Sequence, residues 1–409
     1  MKNVVRIPVV LLPRKGTDMS KWATIACDQF CARPQYWTEL TEYVGDAPST
    51  LKITCPEIYL NSGNLDERIS EVWKNMNAYV ESGLFVGREG FVLVEREVEN
   101  GEKRVGVMIA IDLDAYDWNR VRVPIRATED TLVERLPVRI KIREKAPVES
   151  PHAIVLIDDP DKSVIEPLYA ARGETEKLYD FDLNMGGGHI AGYAVPDPEA
   201  LIAKLEALLD PEVQTKKYGF DAGIMFAVGD GNHSIATAKV MWENLKKSLT
   251  PEEREVHPAR YMLVEMVNLY GGGMDFKPIH RLIYSRDEKF VDGLRAALEG
   301  NGKLKLIYKD GEEYIDCPEQ ASLTISAVQT YIESYAKLNK GFEVEYVHNE
   351  DHLKEAVEEA NGIGIVMPDF PKAELVNFVV NVGNLPKKAF SIGEPEHKRY
   401  YLECKSIVG

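Results

Sequence analysis

Gly223-Ile224-Met225-Phe226-Ala227-Val228-Gly229-Asp230-Gly231-Asn232-His233-Ser234-Ile235 is the stretch on which the reading of this chain turns. Its first six residues form a continuous apolar run of the kind found in buried parallel strands. Beyond Ser234, the residues Ile235, Ala238, Met241, Trp242 and Leu245 recur at helical spacing. The expectation is therefore a strand over Gly223 to Val228, a tight turn over Gly229 to Asn232, and a helix from His233 to about Lys246. A helix start presents backbone N–H groups without intrahelical acceptors, and the positive end of the helix dipole adds to their attraction for an anion. Gly229 and Gly231 let a ligand approach the main chain closely. Asn232, His233 and Ser234 add side-chain donors. Asp230 tolerates a neighbouring phosphate only if it takes up a proton or faces a cation, so it is a candidate ligand for Mg²⁺, as are Asp158 and Asp159, which equally suit the start of a turn. An ordinary capped turn also accepts Asp, Asn and Gly, but one polar residue is enough for a cap. The stretch is not the phosphate loop GxxxxGK followed by Ser or Thr. It is not the dinucleotide fingerprint GxGxxG either.

Outward from this turn, Val105 to Leu113 and Tyr261 to Leu269 read as buried strands. Leu65 to Tyr79 and Pro198 to Leu209 read as helices. Past about residue 290 the elements become shorter and more charged, with helices over Tyr331 to Leu338 and Asp351 to Ala360. The pattern predicts an α/β protein with a mixed sheet. Three parts are expected: an N-terminal α/β lobe over 1–115, a core over 116–290 carrying the Gly229 to Ser234 turn, and a C-terminal α/β lobe over 291–409.

The 409 residues carry 49 Lys and Arg against 66 Asp and Glu, a net charge of −17 that repels a nucleic-acid backbone. Five cysteines, odd in number and without a CxxC pair, point to reduced thiols in a cytoplasmic protein, with Cys27 and Cys31 expected to be buried. No apolar stretch has the length of a membrane span.

Arg126-Ala127-Thr128-Glu129-Asp130-Thr131 and Arg135 form a second constellation. Its arginines are suited to grip phosphate oxygens and Glu129 to act as a base. Thr131 with Glu134 also suits a capping box on a short helix ended by Pro137. His280-Arg281 follows a glycine loop and Lys398-Arg399 precedes a strand-like segment. The first pair suits either an anion or a solvated surface, and the second either an anion or edge-strand gatekeeping charge. Gly186-Gly187-Gly188 suits a flap or a flexible linker. His348 and His352 have the spacing of a metal pair, but no Glu or Cys completes a zinc site.

Trp22 to Phe30, Gly45 to Thr50, Ile125 to Thr131, Pro151-His152, Gly229 to Ala236, Pro278 to Arg281 and Lys398 to Glu403 together resemble domain-of-unknown-function family 1015, nearly end to end. The strand, turn and helix around Gly231 also resemble the ParB and sulfiredoxin fold, which includes free serine kinases. The resemblance implies a ParB/sulfiredoxin-like core with additional α/β lobes. It also implies an enzyme, a cytoplasmic phosphotransferase moving phosphate between ATP or ADP and serine or phosphoserine, with Mg²⁺. In that reading Glu129, Asp230 and His233 are catalytic. Arg126, Thr131, Arg135, Gly229, Gly231, Asn232, Ser234, His280, Arg281, Lys398 and Arg399 bind phosphate or substrate. The expected partners are a nucleotide and a small phosphorylated metabolite, not nucleic acid or membrane, with a homodimer left open. A phosphoserine-type phosphohydrolase and a non-catalytic nucleotide-sensing module are the alternatives.

Overall fold

In the segments Lys103–Asp112 and Tyr261–Asn268 nearly every side chain is buried, so a sheet containing both must be covered on its two faces. The computed structural model describes residues 4–409 except 32, 99, 100, 119–121, 132 and 285, with Arg135 described by its backbone alone. Two compact units result, Met1–Met274 with Pro395–Gly409, and Asp275–Glu394.

The first unit is built on a mixed sheet whose strands, in chain order, are β1 (Val5–Arg6), β2 (Val92–Glu97), β3 (Lys103–Asp112), β4 (Ile125–Ala127), β5 (Ile154–Ile157), β6 (Lys177–Asp182), β7 (His189–Ala194), β8 (Phe226–Asp230) and β9 (Tyr261–Asn268). In space they run β6-β7-β2-β3-β9-β5-β8-β4, with β1 beside β3. Strand β8 lies parallel to β4 and antiparallel to β5. Alternation sorts the core. Val107, Ile109, Ile111, Met262, Val264 and Met266 face one side, where Phe226, Val228, Ile235 and Trp242 join them. Val92, Val94, Met108 and Leu263 face the other, against Trp22, Trp37, Met76 and Leu402. Burying each such aliphatic side chain is worth roughly 1.5–3 kcal/mol, so these two layers fix the strands that carry the site.

The strand starts at Phe226, later than its apolar run suggests, and continues through Gly229 and Asp230. Two helices are relevant to the site: α1 (Leu136–Arg143) and α2 (Asn232–Leu245), which pack together. Only Gly231 separates β8 from α2, so the turn is tighter than expected. Pro137 stands in the first turn of α1 and does not end it, since a first-turn proline lacks only an N–H that has no helical acceptor.

The expected boundary at residue 115 does not divide the fold, because β3 and β9 pair along Val107, Met108 and Ile109 with Met266, Glu265 and Val264. Nor does the last part of the chain stay in one lobe. Tyr400–Tyr401 pairs with Thr24–Ile25 inside the first unit. Gly186 to Gly188 is neither flap nor linker but the turn between β6 and β7. A Cβ on Gly187 would collide with the Tyr400 hydroxyl at 2.3 Å.

The second unit carries β10 (Phe276–Ile283), β11 (Gly302–Tyr308), β12 (Gly311–Cys317), β13 (Val344–His348), β14 (Ile363–Val366) and β15 (Phe390–Ile392). Their order is β12-β11-β14-β10-β13, with β15 on β10. Helices α3 (Ala321–Leu338) and α4 (Glu350–Ala360) belong to this unit. Among the described residues no helix is long and apolar enough to cross a membrane.

Candidate functional site

Gly231 adopts φ 79° and its Cα abuts residue 153, so a Cβ there would lie 2.8 Å from both Cα and Cβ of Ala153. No side chain caps α2. Ser234 and Ile235 donate their N–H groups to the Gly231 carbonyl at 2.9 and 3.0 Å. Asn232 is different. Among the described residues its N–H has no acceptor, and its buried Oδ1 has no donor. A buried acceptor without a donor costs about 1–3 kcal/mol, which a ligand hydroxyl could recover, while the free N–H is the group that suits an anion.

Asp230 ends β8 beside this helix start. Its Oδ1 accepts the Gly231 N–H at 2.8 Å, and its Oδ2 faces Lys398 Nζ at 3.2 Å. Burial works against its charge, but the Lys398 ammonium, His152 and the Gly231 N–H outweigh that and hold the carboxyl below its ordinary range. Asp230 is thus a carboxylate, not a proton donor. Both its oxygens are engaged, and among the described residues no three His, Cys, Asp or Glu side chains form a metal cluster. The expectation that Asp230 holds Mg²⁺ does not fit this donor set, in which Lys398 supplies the positive charge.

His152, which acts on Asp230, leads to two further residues that the sequence pattern did not assign to the site. His152 precedes β5, whose Ile154 stands opposite Asp230 in the ladder. Its Nδ1 is 3.0 Å from the Tyr401 hydroxyl, which lies 2.9 Å from Cys27 Sγ. Burial, then the Asp28 carboxylate, pushes the Cys27 thiol up to about 12, so it remains protonated. The Tyr401 hydroxyl is likewise held protonated, by burial first and Cys27 next. One hydroxyl proton serves either His152 or Cys27 at a time. Cys27 is half-buried and Cys31 exposed, so the expectation that both are buried is corrected. Residue 31 lies in the turn after Phe30, whose φ of 53° swings the chain outward.

Lys398 owes its position to buried arginines on one face of the sheet. Arg96 donates to the carbonyls of Gly187, Glu396 and Lys398, and Arg104 to that of His397 at 2.8 Å. Arg399 bridges Glu265, at 2.5 Å, and Glu403. Burial opposes the charge on Arg399, but Glu403 and Glu265 raise its pKa above the ordinary value. With both its carboxylates inside the fold, Arg399 is a structural ion-pair member and not the phosphate ligand expected of it.

The arginine constellation also divides. Arg126 is buried and donates to the Ala222 carbonyl at 2.9 Å, at the N-terminal end of β8 and away from the turn. The parallel register instead carries Thr128 and Glu129 past the end of β4 alongside the turn, and Thr128 Oγ1 donates to the Val228 carbonyl at 2.6 Å. Glu129 and Thr131 are half-buried, and Thr131 lies beside Tyr116. The side chain of Arg135 lies outside the described residues. His280 and Arg281 belong to β10 of the second unit. Arg281 is fully buried and donates to Gln329 Oε1 at 3.0 Å and to the Lys388 carbonyl, where an anion could not reach it without disrupting that core. His233 and Ser234 occupy the first turn of α2, both half-buried.

A family model described as Protein of unknown function (DUF1015) matches residues 11–361. The chain belongs to that family. No curated protein matches it. Among solved structures, a free serine kinase in complex with AMP is similar at 11% identity and a TM-score of 0.39, over 74% of this chain and 91% of that one. A conserved hypothetical protein from Pyrococcus furiosus is similar at 12% identity and TM-score 0.36, covering 74% and 95%. SbnI with C-terminal truncation from Staphylococcus aureus is similar at 9% and 0.38, covering 72% and 85%. At this level of likeness the function has to be argued from the site of this chain.

Proposed function

We propose that the start of α2 is the phosphate-binding part of a cytoplasmic phosphotransferase on a ParB/sulfiredoxin-like core, exchanging a phosphoryl group between ATP or ADP and a serine-type hydroxyl. The observation that carries this reading is Asn232. Its unpartnered N–H stands at a helix start, two residues from the Asp230 carboxylate that pairs with the Lys398 ammonium. Phosphoryl transfer asks a protein mainly for positioning and for positive charge around the moving group. Here Asn232 and the helix dipole orient phosphate oxygens, with His233 and Ser234 as further donors. Lys398 neutralises the charge that develops on them. Glu129, beside the turn, accepts the hydroxyl proton as the serine oxygen attacks the γ-phosphorus and the bridging P–O bond to the nucleoside diphosphate breaks. Run backwards, phosphoserine and ADP give serine and ATP.

Phosphorus NMR of phosphoserine incubated with the protein and ADP tests this. Growth of ATP signals, absent without ADP, is the expected result. Release of inorganic phosphate without nucleotide would replace the reading with a hydrolase, and nucleotide binding without turnover would replace it with a sensing module. Glu129→Gln is expected to leave ADP affinity unchanged while lowering turnover roughly 10²- to 10⁴-fold. Near-normal turnover in that variant removes Glu129 as the base.

A further inference from the structure

The second unit contains a cavity of about 420 Å³ whose lining includes Lys277, His280, Asn349, Glu350 and Asp369. It opens where β10 changes neighbours. Phe276 to Pro278 pair with β15, and Arg281 to Ile283 pair with β14. Chain beyond Val366 leaves the ladder, and the Met367 N–H, which a continued register would set against β10, donates instead to His280 Nδ1 at 3.1 Å. That bond fixes the imidazole tautomer with its proton on Nε2. His280 is only 3% exposed, yet it lines the cavity, and among the described residues its Nε2–H has no acceptor. Lys277 is likewise without an ion pair among the described residues. Asn349, also in the lining, caps α4 through the Asp351 N–H.

The charges select the ligand class. Glu350 is already paired with Lys305 at 2.8 Å and Lys354 at 3.1 Å. What remains is an ammonium and an N–H donor on β10 against the Asp369 carboxylate, with Glu394 adding negative charge to the lining. A phosphate would meet Asp369 and Glu350 at close range, and a simple cation would meet Lys277. The wall formed by Pro278, Val366, Met367 and Pro368 is apolar. We infer that this cavity binds a free α-amino acid with an apolar side chain, its carboxylate on Lys277 and His280 and its ammonium on Asp369. The inference goes beyond phosphotransfer at the Asn232 turn and does not rest on it.

Calorimetric titration of the full chain in the Asn232→Ala background keeps the two readings apart. L-leucine is expected to bind. 3-Methylbutylamine, which lacks the carboxylate, 4-methylpentanoate, which lacks the ammonium, and L-serine, which lacks the apolar side chain, should each bind at least about tenfold more weakly. Lys277→Met and Asp369→Asn should each weaken leucine roughly 10- to 150-fold. His280→Asn keeps an acceptor for the Met367 N–H while removing the Nε2 donor, so it should weaken leucine with an unchanged melting temperature. The inference is overturned if neither leucine nor methionine binds with a Kd below about 10 mM. It is equally overturned if leucine affinity survives all three substitutions, or if serine binds as well as leucine. None of these outcomes bears on phosphotransfer, which is read separately in the wild-type chain.

Discussion

Replacing Gly231 by alanine tests whether the site depends on the close approach of the turn to β5, and Gly219→Ala supplies the reference. Both glycines are left-handed, with φ 79° and 87°, so each alanine carries the cost of that backbone region, roughly 1–2 kcal/mol. A smaller unfolded-state entropy offsets about 0.4–1 kcal/mol of it in both. The surroundings differ. A Cβ on Gly219 meets nothing within 4 Å, whereas one on Gly231 lies 2.8 Å from the Cα of Ala153, main chain directly before β5 that is held by the Glu265 N–H and cannot rotate away. Forcing a methyl into packed structure costs typically 1–3 kcal/mol. Gly219→Ala should therefore lose about 0–1.6 kcal/mol, and Gly231→Ala about 1–4.6 kcal/mol in total. Urea unfolding at constant m-value reads the difference, and calorimetric ADP titration should show weaker binding for Gly231→Ala alone, because the same clash shifts Asn232. Equal destabilisation of the two variants, or unchanged ADP affinity in Gly231→Ala, would refute the argument.

Lys398→Met removes the cation facing Asp230 and should weaken ADP binding roughly 10- to 150-fold while the fold persists, as calorimetry and circular dichroism would show; undiminished affinity would separate Lys398 from the site. Arg399→Leu leaves Glu265 and Glu403 buried without their cation, so a loss of about 3–5 kcal/mol is expected in urea unfolding, and a loss below about 1 kcal/mol would contradict its structural role. Stability against pH follows from Asp230, Glu149 and Glu265. Each carboxyl is opposed by burial, but neighbouring cations hold its folded value below the ordinary range. Their contribution is therefore fully present above the unfolded values near pH 4 and lost as pH falls through the lower folded ones. The urea midpoint should stay level from pH 7 to about 5 and drop below about pH 4, and a decline between pH 7 and 5 would point to histidine instead.

The elements with strong periodicity were legible in the sequence. Leu65 to Tyr79 lies within the helix Leu65–Glu81, and Tyr261 to Leu269 differs from β9 by one residue. Local pattern sufficed there because burial on one helix face, or on both faces of a strand, is written directly in residue spacing. The site was legible only where it is local. Asp230 to Ser234 announced itself by turn chemistry, whereas the approach of His152 and Tyr401 depends on which strands are neighbours, and a single sequence carries no signal for that. Residues between Pro151 and Tyr401 are brought together by β5 beside β8 and by the pairing of Tyr400–Tyr401 with Thr24–Ile25. Arginine misled for a related reason. Charge alone cannot distinguish Arg126 and Arg399, which serve buried carbonyls and carboxylates, from a guanidinium offered to phosphate.

The placement of Lys398 shows how those buried arginines serve the site without touching it. Residues Glu396 to Arg399 comprise the end of a single 3₁₀ turn and the chain after it, so their carbonyls need donors if the segment is to lie against the sheet. Arg96 and Arg104, on β2 and β3, supply them to Glu396, His397 and Lys398. Burial first, then the Arg104 charge, pulls Arg96 down to about 9, still high enough for it to stay charged at neutral pH. Three guanidiniums, those of Arg96, Arg104 and Arg399, face the carboxylates of Glu265 and Glu403. The surplus of positive charge lies on the face from which Lys398 reaches Asp230. In a chain of net charge −17, that local surplus would lower the repulsion an anion meets at this turn.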